Sequence, residues 1–103
     1  MRQFDVFDNP DREGRRSVPF VLVMPHQRFL LLPHVLVAPL LDGTIGTPDG
    51  ELFVTFPFGD RTLILDVMDM SAIARRHLRR PVGSLAAERD RIVKALDLLV
   101  SGY

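Results

Sequence analysis

The chain has 103 residues, enough for one domain with a modest core; it is 47% hydrophobic and 25% charged, as folded proteins are. Its formal net charge is zero, which argues against a uniformly basic nucleic-acid surface. It holds no cysteine, which excludes a disulfide framework, a thiol nucleophile and a cysteine-ligated metal, and suits a reducing cytoplasm.

Taken in order, the chain opens on MRQFDVFDNPDR, which carries acids and no apolar core, so it does not read as a signal peptide. No apolar run reaches the roughly 18 residues of a membrane span. Gln3 to Phe7 alternates, with Phe4 and Val6 on one face and Asp5 on the other, and predicts a half-buried first strand. Asp8-Asn9-Pro10-Asp11 is turn chemistry, and the loop runs on through Arg16. Pro19 to Met24 is a continuous apolar run, short enough for a strand covered on both faces. His26-Gln27-Arg28 is a polar turn, and Pro33 interrupts the apolar run that follows it. Val35 to Ala38 predicts another strand, closed by Pro39. The prolines of this region predict short strands at edges or ends.

Asp42 to Gly50 is a loop by composition; it lacks the Lys-Ser/Thr of a phosphate loop. Leu52 to Phe56 and Thr62 to Val67 predict a hairpin turned at Gly59-Asp60. Met68 to Ala72 could start a short helical turn. Arg75, Arg76, His77, Arg79 and Arg80 make the most biased segment: a solvated basic loop, or a patch for an anion, a phosphate or an acidic peptide.

Gly83 to Tyr103 is the long helical pattern, with Leu85, Ile92, Leu96, Leu99 and Val100 on one face. Ser84 suits the N-cap, Glu88–Arg91 and Asp90–Lys94 are charge pairs, and Gly102 suits the helix end. Such a helix either covers the sheet or presents Ser101-Gly102-Tyr103 to a partner. Strands followed by a helix give an α+β, mainly β class: about five antiparallel strands and a C-terminal helix in a single domain, residues 1–103. A core of this size makes dimerisation a source of further burial.

The chemistry-bearing residues are sparse. His26, His34 and His77 lack metal-ligand spacing, and no serine lies in a nucleophile-elbow context. Asp66 and Asp69 give a weak acid/base signal. No cofactor or metal is expected, and the residues themselves read as a small binding domain.

The order of the pieces resembles the CcdB family, toxins of toxin–antitoxin modules. The shared features are Gln3-Phe4-Asp5-Val6-Phe7, Pro39-Leu40, Glu51-Leu52-Phe53, Phe58-Gly59-Asp60, Asp69-Met70-Ser71, the helix Leu85 to Leu99, and Gly102 next to last. The resemblance covers essentially the whole chain. It implies a small, SH3-like, strongly bent antiparallel sheet with a C-terminal helix, assembled as a cytoplasmic homodimer. It implies poisoning of DNA gyrase through its A subunit by trapping the gyrase–DNA cleavage complex, without enzymatic activity, and removal by a CcdA-like antitoxin. Neither a membrane nor sequence-specific nucleic-acid binding belongs to that expectation. The implied gyrase contacts are Ser101, Gly102 and Tyr103, supported by Val100, Asp97 and Lys94; Arg75, Arg76, Arg79 and Arg80 would suit an acidic antitoxin segment.

Gyrase-poisoning members end in Trp-Gly-Ile, so this chain departs from them at Ser101, and Tyr103 is the aromatic residue that remains. Two other classes stay open on the residues: a MazF/Kid-like endoribonuclease using Arg75, Arg76, His77 and Asp69, and a relative that binds antitoxin without poisoning gyrase.

Overall fold

The computed structural model describes residues 1–45 and 50–102. The rest of the Asp42–Gly50 loop, 46–49, and Tyr103 lie outside the described residues. Seven strands form one antiparallel sheet: β1 (Asp5–Asp8), β2 (Phe20–Val23), β3 (His34–Asp42), β4 (Phe53–Phe58), β5 (Arg61–Asp66), β6 (Ser71–Ala74) and β7 (Gly83–Ser84). The helix α1 (Arg89–Ser101) follows them. The sheet order is β4-β5-β3-β2-β1-β7, with β6 paired to β3. The predicted class therefore holds: a mainly β chain with a strongly curled antiparallel sheet and a C-terminal helix.

The curl buries both faces of the sheet, so two cores form. The larger joins Phe4, Val6, Leu22, Leu40, Phe56, Leu63 and Leu65 to Leu85, Ile92 and Ala95, and α1 closes it. The smaller, on the opposite face, holds Phe7, Val21, Val23, Leu30, Val35, Val37 and Leu78. This is why β2 reads as a continuous apolar run: its neighbours are split between the two cores. Asp5 is buried too, contrary to the alternation expected of β1. Its carboxylate accepts a hydrogen bond from the Arg2 N–H at 2.8 Å, which satisfies the group that burial would otherwise penalise.

Four sequence expectations about elements are corrected. Pro39 does not close β3, which runs on to Asp42 and is the longest strand of the sheet. Towards β2, the hydrogen-bonding positions of β3 are the even-numbered ones, since the Met24 N–H donates to the Leu36 carbonyl. The missing N–H of Pro39 therefore points to the other side. There β3 passes from β6, which pairs with 34–37, to β5, which pairs with 40–42, so no ladder bond is lost.

The strand count is seven instead of five. The segment expected to begin a helical turn forms a 3-10 turn at Val67–Asp69 and then β6. Gly83 and Ser84 pair with Val6 and Asp5 and do not begin the helix. The Ser84 hydroxyl instead accepts from the Ala86 N–H at 3.1 Å and starts a 3-10 turn, Ala86–Glu88, that leads into α1.

Gly83 also explains how the sheet curls shut. A β-carbon there would lie 2.5 Å from the Phe58 ring, so the tip of the β4–β5 hairpin rests against the β7 backbone. Phe58 packs edge-on to Phe20 with ring centroids 5.4 Å apart. The hairpin turn itself is as predicted, with Gly59 at φ 64°.

Candidate functional site

The end of α1 is built by its cap. Gly102 takes a left-handed conformation, φ 81°, and its N–H donates to the Leu98 carbonyl at 2.8 Å. Ile92 and Ala95 are buried under the helix, and Leu96 and Leu99 are half-buried. Val100 is 83% exposed, which corrects its placement on the buried face. The face turns on Ala95, a small residue, and leaves Val100 on the outside. Lys94, Asp97 and Ser101 are exposed and follow i, i+3, i+7 spacing, so they form one stripe ending at the tip. Of the sequence-derived contact residues, the structure thus brings Lys94, Asp97, Val100, Ser101 and Gly102 to one end of one helix. Tyr103 lies outside the described residues.

A groove of about 720 Å³ adjoins this stripe, between α1 and β4, lined among others by Glu51, Phe53, Thr55, Lys94, Leu98 and Gly102. Arg91 closes its far end. It donates to the Thr55 carbonyl at 2.8 Å, meets Glu88 at 3.3 Å, and lies over the Phe56 ring, 4.8 Å from its centroid. The expected Glu88–Arg91 pair is formed; the Asp90–Lys94 pair is not among the ion pairs of the described residues. On another side of the tip, Met68 is 63% exposed beside a smaller depression that Leu52, Leu98 and Leu99 also line. Sequence reading missed Met68 and Arg91. The Asp66 carboxylate accepts from the Met68 N–H at 3.0 Å in the 3-10 turn that holds Met68 there.

The basic segment lies elsewhere, directly after β6. Arg75 is partly structural: its backbone N–H donates to the Pro33 carbonyl at 2.8 Å and its Nε to the Leu30 carbonyl at 2.9 Å. Leu78, buried in the smaller core, pins the loop. Arg76, Arg79 and Arg80 are exposed, and none forms an ion pair among the described residues. His77 and Asp69, named for the endoribonuclease alternative, line one groove of about 540 Å³ with Asp11 and Ser71, over a floor of Val21, Val37 and Ile73. His26 caps a 3-10 turn, its Nδ1 accepting from the Arg28 N–H, and His34 is exposed on β3. No metal-binding cluster occurs among the described residues. No helix among them is long and apolar enough to cross a membrane.

The molecule is thus a curled, mainly β antiparallel sheet capped by one C-terminal helix whose end is exposed. The family model of the CcdB protein matches residues 3–102, nearly the whole chain. The chain belongs to the CcdB family, whose members are toxins of toxin–antitoxin modules. A search of curated proteins finds no match.

Proposed function

We propose that this protein is the toxin of a type II toxin–antitoxin module and that it acts on DNA gyrase. In this reading the end of α1 binds the A subunit and holds the enzyme on cleaved DNA. The toxin is an inhibitor and not itself an enzyme, and it works without a cofactor. A CcdA-like antitoxin removes it, and its basic loop at Arg75, Arg76, Arg79 and Arg80 suits an acidic segment of that partner. A homodimer would present two tips at once, which raises the effective concentration of the second contact.

The observation that carries this reading is the exposed helix end. Val100, Ser101 and Gly102 stand clear of the sheet on a capped helix, with Lys94 and Asp97 in line behind them. A rigid tip loses little conformational freedom on binding, so its few contacts can count. Ser101 contributes almost no apolar area, which leaves Val100 and the neighbouring Met68 as the large exposed apolar side chains beside it.

The test is binding of the purified full chain, and of a chain lacking residues 101–103, to the gyrase A subunit of its host, followed by a DNA-cleavage assay. The full chain is expected to bind and to accumulate cleaved complex, and the truncation to do neither. Equal binding by both would move the contact away from the tip. No binding by either, with cleavage of RNA, would replace gyrase poisoning by ribonuclease action.

A further inference from the structure

We propose that the turn after β2, residues 27–33, is a peripheral docking tip for an anionic lipid surface: its leucines enter the interface and the cations around it meet the headgroups. The turn lies on different elements from the end of α1 and takes a different kind of ligand, so the proposal stands whether or not gyrase is the target.

The first observation is apolar surface that the fold holds outwards. Phe29, Leu31 and Leu32, nearly consecutive in the chain, are 48%, 86% and 54% exposed. The turn that carries them is tied down. Leu30, between them, is buried in the smaller core. Its N–H donates to the Gln27 carbonyl at 3.1 Å, and its own carbonyl accepts from the Arg75 Nε at 2.9 Å. The Arg75 N–H holds the other end of the turn, at the Pro33 carbonyl. The Gln27 side-chain oxygen accepts from the Gln3 N–H at 2.6 Å, which fixes the start of the turn to the N-terminal segment. Anchored inwards at Leu30, the turn keeps its outer side chains in water. A tip already ordered loses little conformational freedom on entering an interface.

The second observation is charge. The chain is neutral, yet residues 18–41 and 70–87 contain no carboxylate. The β3–β6 ladder and the bonds of Arg75 to Leu30 and Pro33 join these two stretches at the turn. Arg28 stands on the turn itself, its guanidinium 5.4 Å from the centroid of the Phe29 ring. Arg75 is tied to the turn, and the exposed Arg76 follows it. Asp5, two residues from Gln3, is buried and its carboxylate accepts from the Arg2 N–H. Aliphatic side chains set among cations match an anionic bilayer surface, where each basic residue adds about 1 kcal/mol of attraction. Two other occupants match less well. Two copies meeting tip to tip would set one cationic rim against another. A peptide chain needs a cleft, and the turn lines none of the three depressions described above.

Co-sedimentation of the full chain with phosphatidylglycerol vesicles and with phosphatidylcholine vesicles tests this. The chain is expected to bind the anionic vesicles, to bind them less as salt rises, and to bind the neutral ones about tenfold more weakly. The chain has no tryptophan, so Leu31→Trp supplies a single reporter. Its emission is expected to shift to the blue on adding the anionic vesicles, as transfer of the ring out of water requires. Leu31 and Leu32 are exposed, so Leu31→Ser/Leu32→Ser is expected to keep the fold and to bind about tenfold more weakly. Arg28→Glu/Arg76→Glu is expected to lose about as much with both leucines in place. Absence of binding to phosphatidylglycerol, equal binding to both lipids, or a loss in one double variant without the other would each overturn the proposal. A serine variant that is monomeric where the parent is dimeric, and that binds vesicles as the parent does, would assign the tip to a second copy and likewise overturn it.

Discussion

Along β4 part of the outward-facing backbone is absent or already engaged; along β6 no strand pairs with the outward side, where the Ala74 carbonyl alone closes the 3-10 turn at Arg75–His77. The ladder with β5 uses Val54, Phe56 and Phe58, so Phe53, Thr55 and Pro57 face outwards. Pro57 has no N–H to offer. The Thr55 carbonyl is taken by Arg91, and the Phe53 N–H donates to the Gly50 carbonyl at 3.3 Å. Proline and a charged side chain are common means of blunting a strand edge. β6 has neither: its outward residues are two alanines, and its arginines follow the strand without crossing it. The difference teaches that the curled sheet does not leave β6 unpaired for want of ways to blunt an edge, since β4 is blunted at Phe53, Thr55 and Pro57.

The comparison would be broken most severely in the core beneath β4. Phe56 is fully buried there and carries Arg91 on its ring. Phe56→Ala is expected to cost about 3–5 kcal/mol in denaturant unfolding, whereas Ala74→Pro on β6 should leave stability within about 1 kcal/mol of the parent. Next in size, Gly83→Val would push a side chain into Phe58 and separate the hairpin tip from β7; a loss of about 1–3 kcal/mol is expected by the same measurement. Smaller still, Arg91→Met removes the guanidinium from the Thr55 carbonyl and the Phe56 ring. A loss of about 1–2 kcal/mol is expected, because the side chain is half exposed. That variant sharpens the comparison further. It opens the β4 edge, so light scattering should show self-association that the parent lacks; unchanged scattering would mean that Pro57 alone suffices.

These differences follow how far each element could be read in advance. The β4–β5 hairpin was legible because Gly59 marks the turn locally and both strands are rich in β-branched and aromatic residues. The body of α1 was legible from its periodicity, and the bent sheet from the family resemblance. β6 was not, because Ser71-Ala-Ile-Ala has little strand signal of its own and is held by the exposed upper part of β3. β7 was hidden for a related reason: two residues form a strand only because Phe4, at φ 66°, turns β1 towards them, and the Leu85 N–H then donates to the Phe4 carbonyl. Pro39 misled because a proline is tolerated where a central strand changes partners, which no local pattern reveals. At the candidate site, the positions of Ser101 and Gly102 at the helix end could be read from sequence. The exposure of Val100 could not, because a helical period does not say where the core beneath it runs out. Nor could the tethering of Arg75 to Leu30, 45 residues away, which joins the basic loop to the apolar turn.

The smallest expected effect lies at the end of β3, on the closed side of the sheet. The Asp42 carboxylate accepts from the Thr44 N–H at 2.9 Å and from its hydroxyl at 2.8 Å, and Arg61 stands 3.6 Å away. These hydrogen bonds, with Arg61 adding less, hold its pKa below the ordinary 3.8. A carboxyl whose folded pKa is depressed contributes stability above its unfolded pKa and loses it as pH falls through the folded value. The contribution is therefore complete at neutral pH and disappears on the acid side of about pH 4, the unfolded range of aspartate. Unfolding midpoints measured down to pH 2 are expected to fall more gently in Asp42→Asn than in the parent, with the two curves separated at pH 7. Ala74→Pro, made beside the other end of β3, should reproduce the parent's acid limb unchanged. Parallel limbs for Asp42→Asn and the parent would mean that the turn at Thr44 does not hold Asp42 in solution, and that the closed side of the sheet ends at Leu41.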